Sequence, residues 1–227
     1  MRLLALDTST LSGSVALLED EQIRAEVNLN LGRKHTERLL PGMDWIFQEL
    51  ELEPRQLEAV AVGLGPGSFT GLRVGLATAK GLAISLEIPL VGVSSLEALA
   101  WQARFYSGKI LSLIDARKGQ VFAEFFQGGD GFSALEGPMV INPEELAVKI
   151  PEQTLLVGEG WRAYHEIFAK LRDRIIIAGA EFDSPRGSII GRLGLRRLKQ
   201  GERDLPDTLV PIYLRPSDAE YPKMGVK

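Results

Sequence analysis

Short apolar runs broken by polar turns open the chain. Residues 2–6 run into Asp7-Thr8-Ser9-Thr10, residues 14–18 into Glu19-Asp20-Glu21, and a third run covers 23–29, a pattern that predicts three strands. From Thr36 the period changes: Leu39, Leu40, Met43, Ile46, Phe47 and Leu50 recur at helical spacing, with Pro41 and Gly42 expected to bend or delay the first turn. Residues 59–64 read as a buried strand, 71–86 as a helix that Thr70 can cap, and 88–93 as another strand. Ser94 and Glu97 form a capping box ahead of a helix carrying Leu96, Leu99, Ala100 and Ala103. That helix closes a first half, residues 1–105.

The second half, residues 106–227, opens like the first. In KILSLIDARKGQVFAEFF, as in RLLALDTSTLSGSVALLE, an apolar strand ends at an aspartate (Asp115, Asp7), a turn with a glycine follows (Gly119, Gly13), and a second strand returns. This reads as a duplicated strand-turn-strand core. Asn142-Pro143 then starts a helix, followed by a strand at 154–157, a helix at 161–171, a strand at 174–178 and a helix at 188–199. The expected class is α/β with two similar lobes.

The glycine-dense loop GLGPGSFTGLRVG, residues 63–75, invites a phosphate reading. It fails both usual frames: Gly65, Gly67 and Gly71 miss the dinucleotide spacing, and the nearest lysine, Lys80, lies deep in the next helix. Pro66 also removes an amide from any anion nest. The helix beyond the loop offers another reading, because Gly71, Gly75 and Ala79 recur every fourth residue beside Thr78 and Ala83. Such a stripe admits a close backbone, either the protein's own sheet or a partner chain, with Leu72, Leu76 and Leu82 adding apolar bulk.

Composition narrows the function. Forty-five per cent hydrophobic and 25% charged residues describe an ordinary globular chain, and a net charge of −4 argues against nucleic-acid binding through a basic face of its own. With no cysteine, thiolate metal sites and cysteine nucleophiles are excluded. No apolar run reaches the ~18 residues of a membrane span, and the short N-terminal run does not resemble a signal peptide, so a cytoplasmic protein with no membrane partner is expected. Neither His35 nor His165 has metal-ligand spacing; His35 reads as a cap or a partner contact. Arg192, Arg196, Arg197 and Lys199 read as a solvated helix face, with weak tRNA contact as the alternative. No nucleophile elbow appears. Asp7, Thr8, Ser9 and Asp115 stand where magnesium and phosphates could be held, or where turn aspartates cap backbone amides.

Four segments, HTERLLP at 35–41, GPGSFTGLRVG at 65–75, DARKGQVF at 115–122 and PIYLRPSDAE at 211–220, together resemble the bacterial TsaB (YeaZ) family; Gln120 stands where a glutamate is expected. The resemblance implies an actin-like ATPase (ASKHA, RNase H-like) fold. It also implies a role in making threonylcarbamoyladenosine at tRNA position 37, as a non-catalytic dimerisation partner of a TsaD-type catalytic subunit, with a TsaE-type ATPase joining the pair. The catalytic relative carries an H-x-x-x-H metal motif, and this sequence has none. Carried over by position, the partner surface falls on His35, Glu37, Arg38, Leu39, Leu40, Met43 and Ile46 of one helix. On the next it falls on Gly71, Leu72, Arg73, Gly75, Leu76, Thr78, Ala79 and Leu82. No cofactor or metal is expected, tRNA contact is indirect, and the same surface could pair two copies of the chain. The rival is a nucleotide-dependent kinase or ATPase of the same fold, using Asp7, Thr8, Ser9 and Asp115.

Overall fold

A computed structural model describes residues 1–30 and 35–216, the side chains of 35–37 excepted. The first half contains β1 (Arg2–Asp7), β2 (Ser12–Glu19), β3 (Gln22–Asn30), α1 (His35–Glu49), β4 (Ala59–Gly63), α2 (Phe69–Leu86), β5 (Leu90–Val93) and α3 (Ser95–Gln102). Pro41 lies inside α1 rather than delaying it, and α2 starts two residues before the expected position. Ser68, not Thr70, caps α2, its hydroxyl accepting from the Gly71 amide at 3.3 Å.

The second half contains β6 (Lys109–Arg117), β7 (Gln120–Gln127), β8 (Ser133–Ala134), β9 (Met139–Ile141), α4 (Pro143–Lys149), β10 (Thr154–Val157), α5 (Gly160–Ala163), α6 (His165–Phe168), β11 (Ile175–Ile177) and α7 (Gly187–Lys199). The single helix expected over 161–171 is broken at Tyr164, whose φ of −126° leaves the helical region. That break lets its hydroxyl reach the Gln120 carbonyl and Asp115 Oδ1, at 3.3 and 3.4 Å.

The two sheets repeat one plan. The first runs β3-β2-β1-β4-β5, the second β8-β7-β6-β10-β11 with β9 also on β7. In each, an antiparallel hairpin (β1 with β2, β6 with β7) is extended by two parallel strands. The inner strands are buried on both faces, which explains unbroken apolar runs such as Leu3-Leu4-Ala5-Leu6. Leu4, Leu6, Val60 and Val62 pack with α1 and α2 on one face. Leu3, Ala5, Ala16, Ala59 and Ala61 pack with α7 on the other.

Helix α7, which follows the second sheet in the chain, returns to pack on the first. Gly187, Gly191 and Gly194 line its contact side; a Cβ at 194 would stand 2.7 Å from the Ala61 Cβ, and one at 191 would collide with Leu18. Alanines on the strands meet glycines on the helix, so the backbones approach closely. Two strand side chains hold the head of α7: Glu26 Oε1 accepts from the Ser188 amide and hydroxyl at 2.9 and 2.7 Å, and Ser14 Oγ accepts from the Gly187 amide at 2.6 Å. A carboxylate at a helix N-terminus also meets the positive end of the macrodipole. Helix α3 serves both lobes, giving Ala98 to the first core and Leu96, Leu99, Ala100 and Ala103 to the second.

On the α3-facing side of the second sheet, Glu124 is 7% exposed and its Oε2 has no hydrogen-bond partner. Burial, with a further push from the charge of Glu97, raises its carboxyl to about 7. A folded value above the ordinary 4.5 means the native state holds its proton longer than the unfolded chain does. Stability is therefore fullest below pH ~4.5 and declines as pH rises through about 7. Glu124→Gln should raise the melting temperature clearly at pH 8 and little at pH 5, by thermal denaturation followed with circular dichroism; an equal shift at both pH values would contradict the buried ionisation.

Candidate functional site

The turn after β1 lies against the glycine loop between β4 and α2. Asp7 is buried; its Oδ1 accepts from the Ser9 amide at 2.9 Å and the Ser9 hydroxyl at 2.7 Å, and its Oδ2 accepts from Ser95 Oγ at 2.6 Å. Ser95, at the head of α3, also receives the Gly65 amide on its hydroxyl at 3.1 Å and donates its own amide to the Gly65 carbonyl at 2.9 Å. Ser68 donates its amide to the Ser9 carbonyl at 2.7 Å, and Thr8 donates its hydroxyl to the Gly71 carbonyl, also at 2.7 Å. One turn and one loop thus satisfy each other's polar groups in a dry setting, where an unpaired group would cost ~1–3 kcal/mol.

The spacing of the glycines follows from this contact. A Cβ at Gly63 would fall on Asp7 Oδ2, at Gly67 on the Ser9 carbonyl, at Gly71 on the Thr8 carbonyl, and at Gly75 on Thr8 Oγ1. Gly65, with φ at +86°, meets a second demand, since only glycine takes that backbone region freely. The small-residue stripe of α2 therefore faces the protein's own first turn. Of the two readings open for it, close packing within the chain is the one realised.

The same packing takes much of the expected partner surface into the chain's own interior. Leu39, Met43, Ile46, Leu72, Leu76 and Ala79 are all buried in the chain's own interior, with Gly71 and Gly75 under Thr8. Thr78 donates its hydroxyl back to the Val74 carbonyl at 2.9 Å, and Leu82 packs half-buried against the first core. Arg38, Leu40 and Arg73 do reach the surface, Leu40 with 55% of its area exposed. His35 and Glu37 lie outside the described side chains. Arg73 lies on an outward stripe of α2 that continues through Ala77, Gly81 and Ile84, residues outside the expected surface, and Trp45 is exposed on α1. A Cβ at Gly81 would meet nothing within 4 Å. The signal was available in the sequence: Arg73, Ala77 and Gly81 also recur every fourth residue, beside a stripe that had already drawn attention.

Asp115 occupies the equivalent place in the second lobe with partners of its own. Arg117 approaches its Oδ2 at 3.0 Å, the Arg117 amide donates to its Oδ1 at 2.8 Å, and Tyr164 donates its hydroxyl to the same oxygen. Beside it, burial and then the charge of Asp115 lift the Glu159 carboxyl to about 7, against the opposing pull of the hydrogen bond it accepts from the Asp115 amide. Asp7, Thr8 and Ser9 are thus gathered in one knot, while Asp115 belongs to a separate cluster on the other sheet. Among the described residues no three His, Asp or Glu side chains are grouped to hold a metal ion, and no described helix is long and apolar enough to cross a membrane.

The comparisons with known proteins join this geometry to a family. The TsaD model, described as tRNA N6-adenosine threonylcarbamoyltransferase, matches residues 24–223. The tRNA threonylcarbamoyladenosine biosynthesis protein TsaB of Bacillus subtilis is 33% identical over 225 residues, covering 97% of this chain and 96% of that protein. The chain belongs to the TsaB family. YeaZ from Pseudomonas aeruginosa superposes with a TM-score of 0.80 at 29% identity, covering 94% of this chain and 99% of that one. The activator of 2-hydroxyisocaproyl-CoA dehydratase from Clostridium difficile reaches 0.50 at 10% identity over 90% of this chain and 99% of that one, a likeness of fold alone. With the repeated sheet plan, these place the chain in the actin-like ATPase fold class.

Two glycines of α2 separate internal packing from open surface. Gly75→Ala should destabilise by ~1–3 kcal/mol, the range for overpacking a filled core. Gly81→Ala should be neutral or stabilising by up to ~1 kcal/mol through helix propensity. Urea denaturation of both variants checks the contrast; equal stability would mean that Thr8 does not press on α2.

Proposed function

We propose that this chain works in tRNA threonylcarbamoyladenosine biosynthesis as the non-catalytic dimerisation partner of a TsaD-type subunit, in the cytoplasm. The observation that carries the reading is the outer face of α1 and α2. Ile84 exposes 58% of its area on the face of α2 that also carries the small residues Ala77 and Gly81, and Leu40 and Trp45 of α1 expose 55% and 49%. Apolar bulk beside small residues suits a helix-on-helix contact, since the small positions let the partner's ridge seat while the large ones are covered. The rim is charged, with Arg38, Asp44 and Arg73 exposed, as interface edges commonly are.

Membership of the TsaB family supports the pathway, and the match to the TsaD model fits a partner of similar fold. Two related folds presenting similar helix pairs can associate about a pseudo-two-fold axis, and two copies of this chain can use the same face when the partner is absent. A TsaE-type ATPase would join the assembled pair, and tRNA would meet this chain only through the complex. A nucleotide-dependent activity of its own finds little support, because the Asp7-Thr8-Ser9 turn is engaged by the chain's loop and by Ser95.

Gly81→Arg should leave the circular dichroism spectrum and melting temperature near those of the parent chain. It should abolish co-elution with the TsaD-type subunit in size-exclusion chromatography and with it reconstituted tRNA modification. Co-elution at parental strength would overturn the surface. Full modification by the TsaD-type subunit without this chain would overturn the function.

A further inference from the structure

The segment PIYLR, residues 211–215, lies outside the proposed partner face and touches both lobes. Ile212 donates its amide to the Leu64 carbonyl at 2.8 Å, beyond the end of β4. The Tyr213 ring lies 4.9 Å from that of Phe69, the first residue of α2. Arg73, one turn on, places its guanidinium 3.9 Å over the Phe69 ring and donates Nε to the Tyr213 hydroxyl at 3.3 Å. The next side chain, Leu214, packs into the second lobe against the core of Phe122, Phe126 and Leu99. Arg215 reaches Gln120 Oε1 at 3.5 Å, at the start of β7. Five consecutive residues thus step from the rim of one sheet to the rim of the other.

Among the described residues the chain passes between the lobes at two other places, and those two lie together. The link after α3 and the link before α7 are joined by Gln102 Nε2 donating to the Ser184 carbonyl at 3.1 Å, with the Phe105 and Phe182 rings 6.4 Å apart. Adjacent crossings define an axis about which two bodies can turn, as in hinge-bending proteins. A third attachment, added to the packing of α3 on both lobes, restricts that freedom further. Residues 211–215 provide it at the carboxyl ends of β4 and β6, the edge at which open α/β sheets usually receive ligands.

We propose that residues 211–215 form an intramolecular latch that fixes the angle between the two lobes, with Phe69 and Arg73 at the head of α2 as its catch. The catch is chemically suited to reversible closure. A tyrosine ring and a guanidinium set against one phenyl ring are held by aromatic and cation–π attraction at a partly exposed site, individually ~0.5–1.5 kcal/mol. No element of either core has to unfold for it to open.

Because the chain has no cysteine, two can be introduced for labelling without competition. Spin labels at Arg55→Cys, in the exposed turn before β4, and Val148→Cys, 83% exposed on α4, report the distance between lobes in the full chain. The labelled parent should give one narrow distance distribution by double electron–electron resonance. Adding Tyr213→Ala with Arg215→Ala, which alters rim side chains only, should broaden it and shift it to longer distances. Hydrogen exchange of β1 and β6 should stay at parental protection, showing that each core is intact. Leu214→Ala, a separate variant on the second-lobe side, should broaden it in the same direction. A superimposable distribution in both variants would overturn the latch, even if melting temperatures fell, since lost packing alone lowers stability without freeing the lobes.

Discussion

Everything near the centre of the first lobe depends on how closely the Asp7-Thr8-Ser9 turn lies against the head of α2. Thr8 offers its carbonyl and hydroxyl directly to the helix backbone, and only glycine at 71 and 75 leaves room for them. Asp7 then gathers Ser9 from its own turn and Ser95 from α3, so the carboxyl end of β1 is tied to two helices at once. A loop that looks built to cradle an anion instead cradles this turn, and its amides from Gly65 and Ser68 point to Ser95 and Ser9. The conformational cost of so many glycines is offset by satisfying the polar groups of the buried turn.

Small residues act here as spacing devices, and the side of the helix on which they fall decides their use. On α2, positions 75 and 77 differ by about 200° around the axis, so two small stripes lie on nearly opposite faces. The inner one, Gly71-Gly75-Ala79, is closed by β1 and its turn; the outer one, through Ala77 and Gly81, is open. Helix α7 follows the same logic with Gly187, Gly191 and Gly194 laid on strand alanines. That explains why the last helix of the chain belongs physically to its first sheet.

Much of this was legible in the sequence because apolar period and burial agree. The three opening strands, both long N-terminal helices and the duplicated hairpins emerge close to their expected places, since each is amphipathic or apolar throughout over most of its length. The losses have local causes. Tyr164 breaks a helix in order to reach Asp115, an interaction 49 residues away that no local pattern carries. Strands β8 and β9 are two and three residues long, too short to show a period. For α2, spacing alone could not say which face its own sheet and first turn would take. Gly71 and Gly81 look equivalent until Thr8 is placed beside one of them.

The duplication also shows how unequal two copies of one hairpin can become. Asp7 is enclosed by serines and loop backbone, whereas Asp115 keeps an arginine and a tyrosine, and its neighbour Glu159 is pressed toward neutrality by burial. In both copies the carboxylate after the first strand accepts hydrogen bonds from its own turn, which holds the hairpin in shape. The two aspartates of the duplicated frame thus do the same local work, each holding its own hairpin in shape, with different neighbours.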